Sequence, residues 1–390
     1  MTELQQLINE LCPNGVKFAA LEECCKILDN KRKPVTKAAR QAGEYPYYGA
    51  NGIQDYVSDY IFDGIFVLVG EDGSVVTPSG NPVVNWATGK IWVNNHAHII
   101  EEKDGVLLRY LYHYLQTVNV SALIHGNIPK LTGGDFRTIK VPVPPLPVQS
   151  EIVRILDNFT ELTAELTAEL TARKQQYAHY RDTLLKLDNN VPSYTLKDIC
   201  LSIADGDHMP PPKADSGVPF ITISNITETR QIDFSNVMYV PREYYDKLAD
   251  KRKAKRDDIL YTVVGSFGIP VHISSKTEFV FQRHIAILRP NQQMIVPRYM
   301  YHIMQSTEFY KQADKAAKGA AQRTIGLSSL GNMTIPLPSI EEQKRIVAIL
   351  DRFDTLCNDI SAGLPAEIEA RQKQYEYYRD KVLTFKELNT

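Results

Sequence analysis

Residues 142–162 read PVPPLPVQSEIVRILDNFTEL, and residues 336–356 read PLPSIEEQKRIVAILDRFDTL. Each stretch begins with a proline-rich segment and continues with apolar residues at three- and four-residue steps, a pattern typical of an amphipathic helix. The second stretch lies 194 positions after the first. A proline-rich entry followed by a long helix therefore occurs twice in the chain.

Two further pairs of matching segments flank this repeat in the same order. Upstream, RYLYHYLQT from Arg109 matches RYMYHIMQS from Arg298, and downstream ARKQQYAHYRD from Ala172 matches ARQKQYEYYRD from Ala370. Three matched pairs in one order indicate two copies of a globular part followed by a long helix. Two copies fit a pseudo-twofold molecule better than a solenoid, which needs at least ~3 repeats to bury its faces.

We therefore predict an α+β fold with two mixed α/β domains and two long antiparallel, coiled-coil-like helices between them, related by a pseudo-twofold internal repeat. The predicted segments are a first domain at 1–140, a first helix at 141–189, a second domain at 190–334 and a second helix at 335–390. A short N-terminal helix comes first, and FAALEECCKI from Phe18 resembles YTLKDIC from Tyr194, so these two segments open the two globular parts.

β-Branched and aromatic residues between glycine- and proline-containing turns predict several strands. These strands are Ile65–Gly70, Ile91–Ile100, Phe220–Ile223, Ile259–Val264 and Phe279–Leu288. Both globular parts are thus predicted to mix strands with helices.

The two long helices carry signals of their own. Ser339 and Glu342 match a capping box at the start of the second helix, whereas Gly363 and Pro365 predict a kink or a short break within it. In the first helix, the TAEL tetrapeptide at Thr163–Leu166 is repeated at Thr167–Leu170, and each copy adds ~6 Å of helix. An apolar stripe on such a long helix needs another helix to cover it, and the simplest partner is its own repeat.

The totals allow two cored domains, with 390 residues of which 43% are apolar. No apolar run reaches the ~18 residues of a membrane span, and the N-terminal sequence MTELQQLINELC is not signal-like, so we expect a cytoplasmic protein. The five cysteines form no CxxC pair and are read as structural thiols.

Charge is unevenly distributed along the chain. Residues 189–340 carry 18 Lys and Arg against 14 Asp and Glu, a net charge of +4, although the whole chain has a net charge of −2. Five of these cations lie within Lys251–Arg256. Because local fields decide binding to phosphate, the second domain is the more basic candidate for nucleic-acid contact.

The whole pattern resembles the specificity (S, HsdS) subunit of type I restriction-modification systems. The segments that carry this resemblance are YPYYGANGI from Tyr45, DDILYTVVGSFG from Asp257, FQRHIAILRP from Phe281 and QRTIGLSSLGNMTIPLPSIEEQKRIVAILD from Gln322. The TAEL copies resemble those in the central spacer of one branch of that family. The resemblance covers essentially the whole chain.

The resemblance implies a non-catalytic DNA-recognition subunit. Its two target recognition domains each read one half of a split site in double-stranded DNA, and its helices act as spacer and as docking surface for two methyltransferase subunits. S-adenosylmethionine would come with the methyltransferase partner, and ATP and magnesium with restriction subunits, so no cofactor is expected in this chain. The bases of the target and the gap length do not follow from the sequence.

Candidate DNA contacts were chosen by residue chemistry. In the second domain, the basic run suits phosphate neutralisation, and Arg and Gln side chains suit guanine and adenine edges. These candidates are Lys251, Arg252, Lys253, Lys255, Arg256, Arg283, His284, Gln322 and Arg323. In the first domain, polar or aromatic residues near glycine turns are the matching candidates, namely Tyr47, Tyr48, Asn51, Gln54, Asn94, Asn95 and Lys130.

The remaining candidates concern partners, metals and catalysis. Arg154, Arg173, Arg352 and Arg371 lie opposite the apolar stripes and are candidate docking residues. No metal site is predicted, because a His96 and His98 pair on one strand would lack a third ligand of recognisable spacing. Repeated residues such as Arg109/Arg298, Tyr110/Tyr299 and His113/His302 are better explained by support of the fold.

Two other classes of protein stay open at this point. A coiled-coil scaffold without DNA readout explains the helices and leaves the twin domains unexplained. A metal-dependent nuclease would use Glu101-Glu102-Lys103, half of a familiar ExK site, although no ProAsp pair precedes it.

Overall fold

A computed structural model describes residues 3–73, 75–188, 190–206, 210–320, 322–359 and 361–388. The chain divides into two compact units. Unit 1 comprises Met1–Ala164 with Ala370–Thr390, and unit 2 comprises Glu165–Glu369. The last 21 residues of the chain therefore belong with the first 164.

The described residues of unit 1 form ten strands and the start of the first long helix. Its strands are β1 (Lys17–Ala20), β2 (Lys26–Ile27), β3 (Ala42–Gly49), β4 (Gly52–Val57), β5 (Phe62–Gly70), β6 (Val84–Val93), β7 (Ala97–Glu101), β8 (Ile124–His125), β9 (Lys130–Leu131) and β10 (Lys140–Val143). Its helices are α1 (Glu3–Leu11), α2 (Leu21–Cys24), α3 (Leu108–Leu115), α4 (Gly133–Thr138) and α5 (Leu146–Leu184), the last of which continues into unit 2.

The central sheet of unit 1 has the strand order β2-β7-β5-β6-β3-β4, in which only the β6–β3 pair is parallel. The predicted strand Ile65–Gly70 lies in β5, and its unbroken apolar run has a structural reason. Val67 and Val69 enter the core formed with α3 and α5, whereas Phe66 and Leu68 enter a second core on the opposite face of the sheet. Because both faces are covered, neither set of alternate residues can be polar.

Unit 2 repeats this arrangement with shorter strands. Its strands are β11 (Ser193–Thr195), β12 (Cys200–Asp205), β13 (Val218–Ile221), β14 (Met238–Val240), β15 (Ile259–Thr262), β16 (Pro270–His272), β17 (Val280–Phe281), β18 (Ile285–Pro290) and β19 (Thr334–Pro336). Its helices are α6 (Leu196–Ile199), α7 (Arg242–Asp246), α8 (Pro297–Ile303), α9 (Thr307–Ala316), α10 (Leu327–Gly331) and α11 (Ile340–Asn358), and α12 (Leu364–Val382) continues into unit 1.

The two units share one topology, as the sequence repeat predicts. The order β12-β18-β15-β16 matches β2-β7-β5-β6, and the order β14-β13-β17, with its parallel β13–β17 pair, matches β4-β3-β6. The predicted openings also correspond, because β1 pairs with β10 and β11 pairs with β19 in antiparallel ladders. Unit 2 differs in that two strands, β16 and β17, replace the single long strand β6.

Two predicted strands are wrong in the same way. The run Ile91–Ile100 is divided between β6 and β7 by a turn at Asn94–His96, and the run Phe279–Leu288 is divided between β17 and β18. In the first turn, the Asn94 side chain accepts a hydrogen bond from the His96 backbone N–H at 2.8 Å. This Asx turn ends β6 without glycine or proline, which is why strand propensity missed it, and the second turn at Gln282–His284 also lacks both residues.

The long helices follow the prediction in most respects. Helix α5 is continuous over 39 residues, whereas the second helix is broken between Asn358 and Leu364, as Gly363 and Pro365 predict. Ser339 caps α11 by accepting from the Glu342 backbone N–H at 3.3 Å, although the Glu342 carboxylate binds Arg345 instead of completing a capping box.

Within each unit, one long helix packs against part of the other. In unit 2, Phe353 of α11 lies against Tyr177 and Tyr180 of α5. Further along α11, Cys357 lies close enough to Lys174 for the lysine charge to act on its thiol. Because the later residue of α11 meets the earlier residue of α5, the two helices run antiparallel. In unit 1, Phe159 of α5 stacks on Tyr378 of α12 with ring centroids 5.4 Å apart. The predicted antiparallel pairing of each helix with its own repeat is confirmed.

A fully buried glutamine ties the start of each helix to its globular part. Gln149 of α5 accepts from the Leu107 backbone N–H at 2.9 Å, and Gln343 of α11 accepts from the Val296 backbone N–H at 2.8 Å. Each also donates its side-chain N–H groups to two backbone carbonyls. Because the amide oxygen and the amide nitrogen of each glutamine have partners, these hydrogen bonds offset the cost of burying the polar groups.

Among the described residues, no helix is long and apolar enough to cross a membrane.

Candidate nucleic-acid interface

In unit 1, three loop segments meet at one end of β5 and β7. The Glu71 N–H donates to the His96 carbonyl at 2.8 Å, the Leu131 N–H donates to the Glu71 carbonyl at 2.8 Å, and the Gly73 N–H donates to the Pro129 carbonyl at 3.0 Å. We call the residues 71–73, 94–96 and 127–130 the loop edge of unit 1. These bonds join the three segments through main-chain atoms.

Unit 2 has the same framework at the corresponding positions. The Val263 N–H donates to the His284 carbonyl at 2.8 Å, the Ile325 N–H donates to the Val263 carbonyl at 2.8 Å, and the Gly265 N–H donates to the Arg323 carbonyl at 3.0 Å. Residues 263–265, 282–284 and 322–324 therefore form the loop edge of unit 2.

The equivalence extends to the neighbouring parallel strand. The Asn94 N–H donates to the Tyr48 carbonyl at 3.1 Å, and the Gln282 N–H donates to the Ile221 carbonyl at 3.0 Å. Asn95 in unit 1 thus corresponds to Arg283 in unit 2.

Most of the candidate base-reading residues lie on these two edges. Asn94, Asn95 and Lys130 lie on the edge of unit 1, and Arg283, His284, Gln322 and Arg323 lie on the edge of unit 2. The candidates of the two domains therefore lie on corresponding edges, and Asn95 and Arg283 occupy equivalent positions.

The accessibility of these side chains differs. Asn95, Arg283 and Gln322 are exposed, whereas Asn94 is buried and its amide contacts Gln54 at 3.4 Å. Arg323 is held by Asp314 at 2.6 Å, with its guanidinium over the ring of Phe267. Asn95, Arg283 and Gln322 are therefore the edge candidates whose side chains are open to a ligand without rearrangement.

The β3–β4 hairpin carries the remaining candidates of unit 1. Asn51 and Gln54 are exposed on it, and a side chain at Gly49 would collide with Gln54 because an added Cβ would lie 2.1 Å from its amide nitrogen. Tyr47 is buried, and its hydroxyl accepts a hydrogen bond from the Val35 N–H and donates one to the Val35 carbonyl. Tyr48 is also buried, and burial raises the pKa of its hydroxyl. The two tyrosines lie in the core, whereas the hairpin tip is accessible.

Lys130 belongs to a cluster of charged side chains that the sequence did not predict. Its ammonium lies 3.2 Å from Glu71, which Arg32 binds at 2.6 Å from the other side. Fully buried His98 lies 2.7 Å from Asp29 and 3.6 Å from Glu71. We call Asp29, Arg32, Glu71, His98 and Lys130 the charge cluster. It supports the loop edge from below, since His98 also contacts the Leu131 carbonyl at 2.9 Å.

In this cluster, Arg32 and Lys130 lie against the carboxylates of Asp29 and Glu71. Burial alone raises the pKa of Asp29, but the hydrogen bond from His98 and the charge of Arg32 outweigh it and hold the pKa below its usual value. Asp29, Glu71 and His98 could hold a metal ion, since their ligand atoms lie within 4.8 Å of one another. Arg32 and Lys130 already neutralise the two carboxylates, so these residues do not fit a cation. His96 contacts Asp72 in the turn and does not share a partner with His98.

The basic run of unit 2 folds into a loop with mixed roles. Arg252 pairs with Asp205 at 3.3 Å, Lys255 pairs with Asp250 at 2.8 Å, and Lys253 donates to the Asp246 carbonyl at 2.9 Å. Within the part of the chain that the structure describes, Lys251 and Arg256 are exposed and form no hydrogen bond or ion pair. These two are the cations of the run that are available to phosphate.

Arg289, which the sequence analysis did not single out, fixes this loop to β18. Its guanidinium binds Asp258 at 3.0 Å and Asp250 at 2.9 Å, and it donates to the Lys253 carbonyl at 2.8 Å. The basic loop therefore lies at the C-terminal end of β18, near Arg289. Arg283 and His284 lie just before the N-terminal end of the same strand. Burial, with the charge of Arg283, lowers the pKa of His284.

The docking and nuclease candidates have defined contacts as well. Arg154 binds Glu151 at 2.6 Å, Arg173 binds Glu169 at 3.3 Å, Arg371 donates to Gln374 at 3.0 Å, and Arg352 is exposed. Glu102 accepts a hydrogen bond from the Leu108 N–H at 2.8 Å and so caps α3, and Glu101 pairs with Lys26 at 3.3 Å. The two carboxylates of the ExK segment thus have structural partners.

Comparison with known proteins agrees with this architecture. The family profile described as the type I restriction modification DNA specificity domain matches residues 13–173 and again residues 189–370. The chain therefore belongs to this family and carries two copies of its domain, and the scaffold and nuclease alternatives are not favoured.

Individual relatives match over most of their length. A putative type I restriction enzyme specificity subunit from Haemophilus influenzae is 38% identical over 386 residues, covering 95% of this chain and 96% of that protein. The specificity subunit of the type I restriction enzyme EcoR124I/EcoR124II from Escherichia coli is 36% identical over 303 residues, covering 73% and 72%.

A solved structure confirms the fold. The S subunit of a type I restriction-modification system from M. genitalium has a TM-score of 0.58 at 15% identity, covering 95% of this chain and 96% of that one.

Proposed function

We propose that the loop edges of units 1 and 2 each read one half of a split DNA site. The observation that carries this proposal is the shared main-chain framework with different exposed side chains, Asn95 at one edge and Arg283 at the equivalent place of the other. A common framework gives both units the same approach to a duplex, and different side chains give the two half-sites different sequences.

The chemistry of these side chains suits base edges in the major groove. Arginine binds the O6 and N7 acceptors of guanine, and asparagine or glutamine binds N6 and N7 of adenine. Lys251 and Arg256 would contact phosphates, which adds affinity without sequence preference. The net charge of +4 over residues 189–340 favours an approach of the second domain to the polyanionic backbone of DNA.

We further propose that this chain performs no chemistry itself. Two methyltransferase subunits would dock on the long helices, with Arg154, Arg173, Arg352 and Arg371 as candidate contacts, and would bring S-adenosylmethionine. Restriction subunits would bring ATP and magnesium, and the complex would work in the cytoplasm. Membership of the type I specificity family supports these assignments. Methyl transfer to DNA by this chain without a methyltransferase subunit would contradict them.

The readout proposal is tested by mapping modified bases in cells that carry the chain and its methyltransferase. We expect Arg283→Ala to relax one base position in one half-site only, with a loss of roughly 5- to 150-fold in discrimination, corresponding to ~1–3 kcal/mol for one bidentate contact. We expect Asn95→Ala to relax a position in the other half-site.

The control variant is Lys311→Ala, which removes an exposed cation of unit 2 on α9, away from its loop edge. This variant should leave the methylated motif unchanged. A motif unaltered in Arg283→Ala and Asn95→Ala alike would refute the readout proposal and favour a scaffold without DNA readout.

A further inference from the structure

In each unit a buried histidine joins the two long helices. In unit 1, His113 of α3 has its Nε2 atom 2.8 Å from Asp157 of α5 and its Nδ1 atom 3.1 Å from the hydroxyl of Tyr375 on α12. The histidine side chain is fully buried, and Arg109 binds the same aspartate at 2.8 Å. Three elements that are distant in sequence thus meet at one imidazole.

Unit 2 contains the same bridge with the helix roles exchanged. His302 of α8 is also fully buried, with Nε2 2.6 Å from Asp351 of α11 and Nδ1 2.9 Å from the hydroxyl of Tyr177 on α5. Arg298 binds Asp351 at 2.6 Å, as Arg109 binds Asp157. An equivalent arginine lies over each tyrosine ring. The guanidinium carbon of Arg379 is 5.5 Å from the ring centroid of Tyr375, and that of Arg181 is 5.4 Å from the ring centroid of Tyr177.

The chemistry of the partners fixes the direction of both hydrogen bonds. A carboxylate only accepts, so Nε2 must carry the proton and donate it to the aspartate, which leaves Nδ1 to accept from the tyrosine O–H. Burial lowers the pKa of His113 to about 4, although the hydrogen bond to Asp157 acts in the opposite direction, and burial also lowers the pKa of His302. Each histidine is therefore neutral near pH 7, with one tautomer.

These hydrogen bonds restrict rotation of the globular part, because the histidine, the aspartate and the tyrosine lie on three different elements of a unit. The histidine lies on the helix that follows β7 or β18 in the globular part, the aspartate lies on one long helix, and the tyrosine lies on the other. Rotation of the globular part about the helix pair would move the ring away from at least one partner and leave a buried polar group unsatisfied.

We propose that His113 and His302 are positioning residues that hold each recognition domain at one rotational setting on the helix pair, and so fix the gap between the two half-sites. This inference depends on the readout proposed above. Half-site spacing in a two-headed DNA reader is set by the geometry of the protein, so any freedom at these joints would become freedom in the gap.

Tyr375→Phe and Tyr177→Phe test the proposal, because each removes one hydroxyl and keeps the ring that packs between the helices. In a methylation map of the assembled complex, we expect the share of sites with a gap one base pair shorter or longer to rise about three- to tenfold, the effect of one lost hydrogen bond. The bases read in each half-site should stay the same.

Two further variants separate positioning from general stability. His113→Gln retains a side-chain N–H donor and a carbonyl acceptor, so it should keep the single gap. His113→Ala removes both groups and should raise the share of sites with an altered gap. Tyr378→Phe removes a hydroxyl from the same helix, outside the bridge, and should behave as the unaltered chain.

An unchanged gap in folded Tyr375→Phe and Tyr177→Phe complexes would overturn the proposal, even if their melting temperatures fall. So would a change in the bases read without a change in the gap. Failure of the readout proposal is recognised separately, since the unaltered chain would then show no two-part motif at all.

Discussion

In the charge cluster at the loop edge of unit 1, a largely buried arginine pairs with a largely buried glutamate. Arg32 donates to Glu71 and to the Ala97 carbonyl at 2.6 and 2.7 Å, and both side chains of the Arg32–Glu71 pair are only 12% exposed. Removing one partner from such a pair leaves a charge with little access to water, which costs more than the pair itself contributes.

We therefore expect Arg32→Ala to lower the free energy of unfolding by about 3 kcal/mol, as measured by chemical denaturation. Lys26→Ala is the matched control, because the Lys26–Glu101 pair lies on the surface with side chains 59% and 40% exposed. Its loss should cost ~1 kcal/mol or less. Equal effects of the two substitutions would show that the cluster is solvated and does not support the edge.

Sequence reasoning could not find this cluster, and the cause is distance along the chain. Asp29, Glu71, His98 and Lys130 come from four separate segments, and none of them lies in a local motif. In contrast, the glutamines at 149 and 343 interrupt two matching apolar stripes at the same place. A polar residue repeated inside a buried stripe is a signal that the sequence did offer.

At the scale of elements, the helix α5 passes through both TAEL copies without a break. Its threonines bond to their own helix, as Thr163 does to the Phe159 carbonyl at 2.8 Å and Thr171 does to the Thr167 carbonyl at 3.0 Å. Both tetrapeptides are therefore part of one continuous helix, and their number sets its length.

Deletion of Thr167–Leu170 should shorten α5 by ~6 Å. At ~3.4 Å per base pair, the gap between half-sites should shrink by at most about two base pairs, with both half-site sequences retained. A map of methylated sites measures this change directly. Thr167→Ala keeps the helix length and should leave the gap unaltered, and an unaltered gap after the deletion would show that α5 does not set the spacing.

The long helices, their break and the twin topology were predictable because apolar periodicity and the internal repeat are strong local signals. The turns at Asn94–His96 and Gln282–His284 were not, although they carry the candidate readers. Their flanking residues favour strands, and each turn is set by a backbone hydrogen bond to a distant strand, to Tyr48 or to Ile221. The accessibility of each edge residue depends on contacts with segments distant in sequence, as for Asn94 with Gln54, and composition does not reveal these contacts.

At the scale of the whole molecule, unit 1 is completed by a segment distant in the chain, Ala370–Thr390, whereas unit 2 is one continuous stretch. Leu383 is 4% exposed in the core of unit 1, and Leu185, its counterpart in the repeat, is 6% exposed in the core of unit 2. The end of the chain thus supplies core side chains to the first domain.

Leu383→Ala should therefore weaken unit 1, by about 2–5 kcal/mol for a buried leucine, although the substitution lies near the C-terminus. Hydrogen exchange should show faster exchange in the helices and strands of residues 17–143 than in the unaltered chain. Leu185→Ala is the matched control and should instead speed exchange in unit 2. Uniform loss of protection in both units would mean that they unfold together.

The completion of unit 1 by Ala370–Thr390 also determines the order of events on the ribosome. Unit 2 has all its residues once Glu369 has been made, whereas unit 1, whose first part is synthesised earlier, also needs residues 370–390. At ~5–20 residues per second, the roughly 200 residues between Ala164 and Ala370 take about 10–40 s to translate. During that interval the core of unit 1 lacks the apolar side chains that residues 370–390 supply, such as Leu383, so part of its apolar surface stays open to solvent.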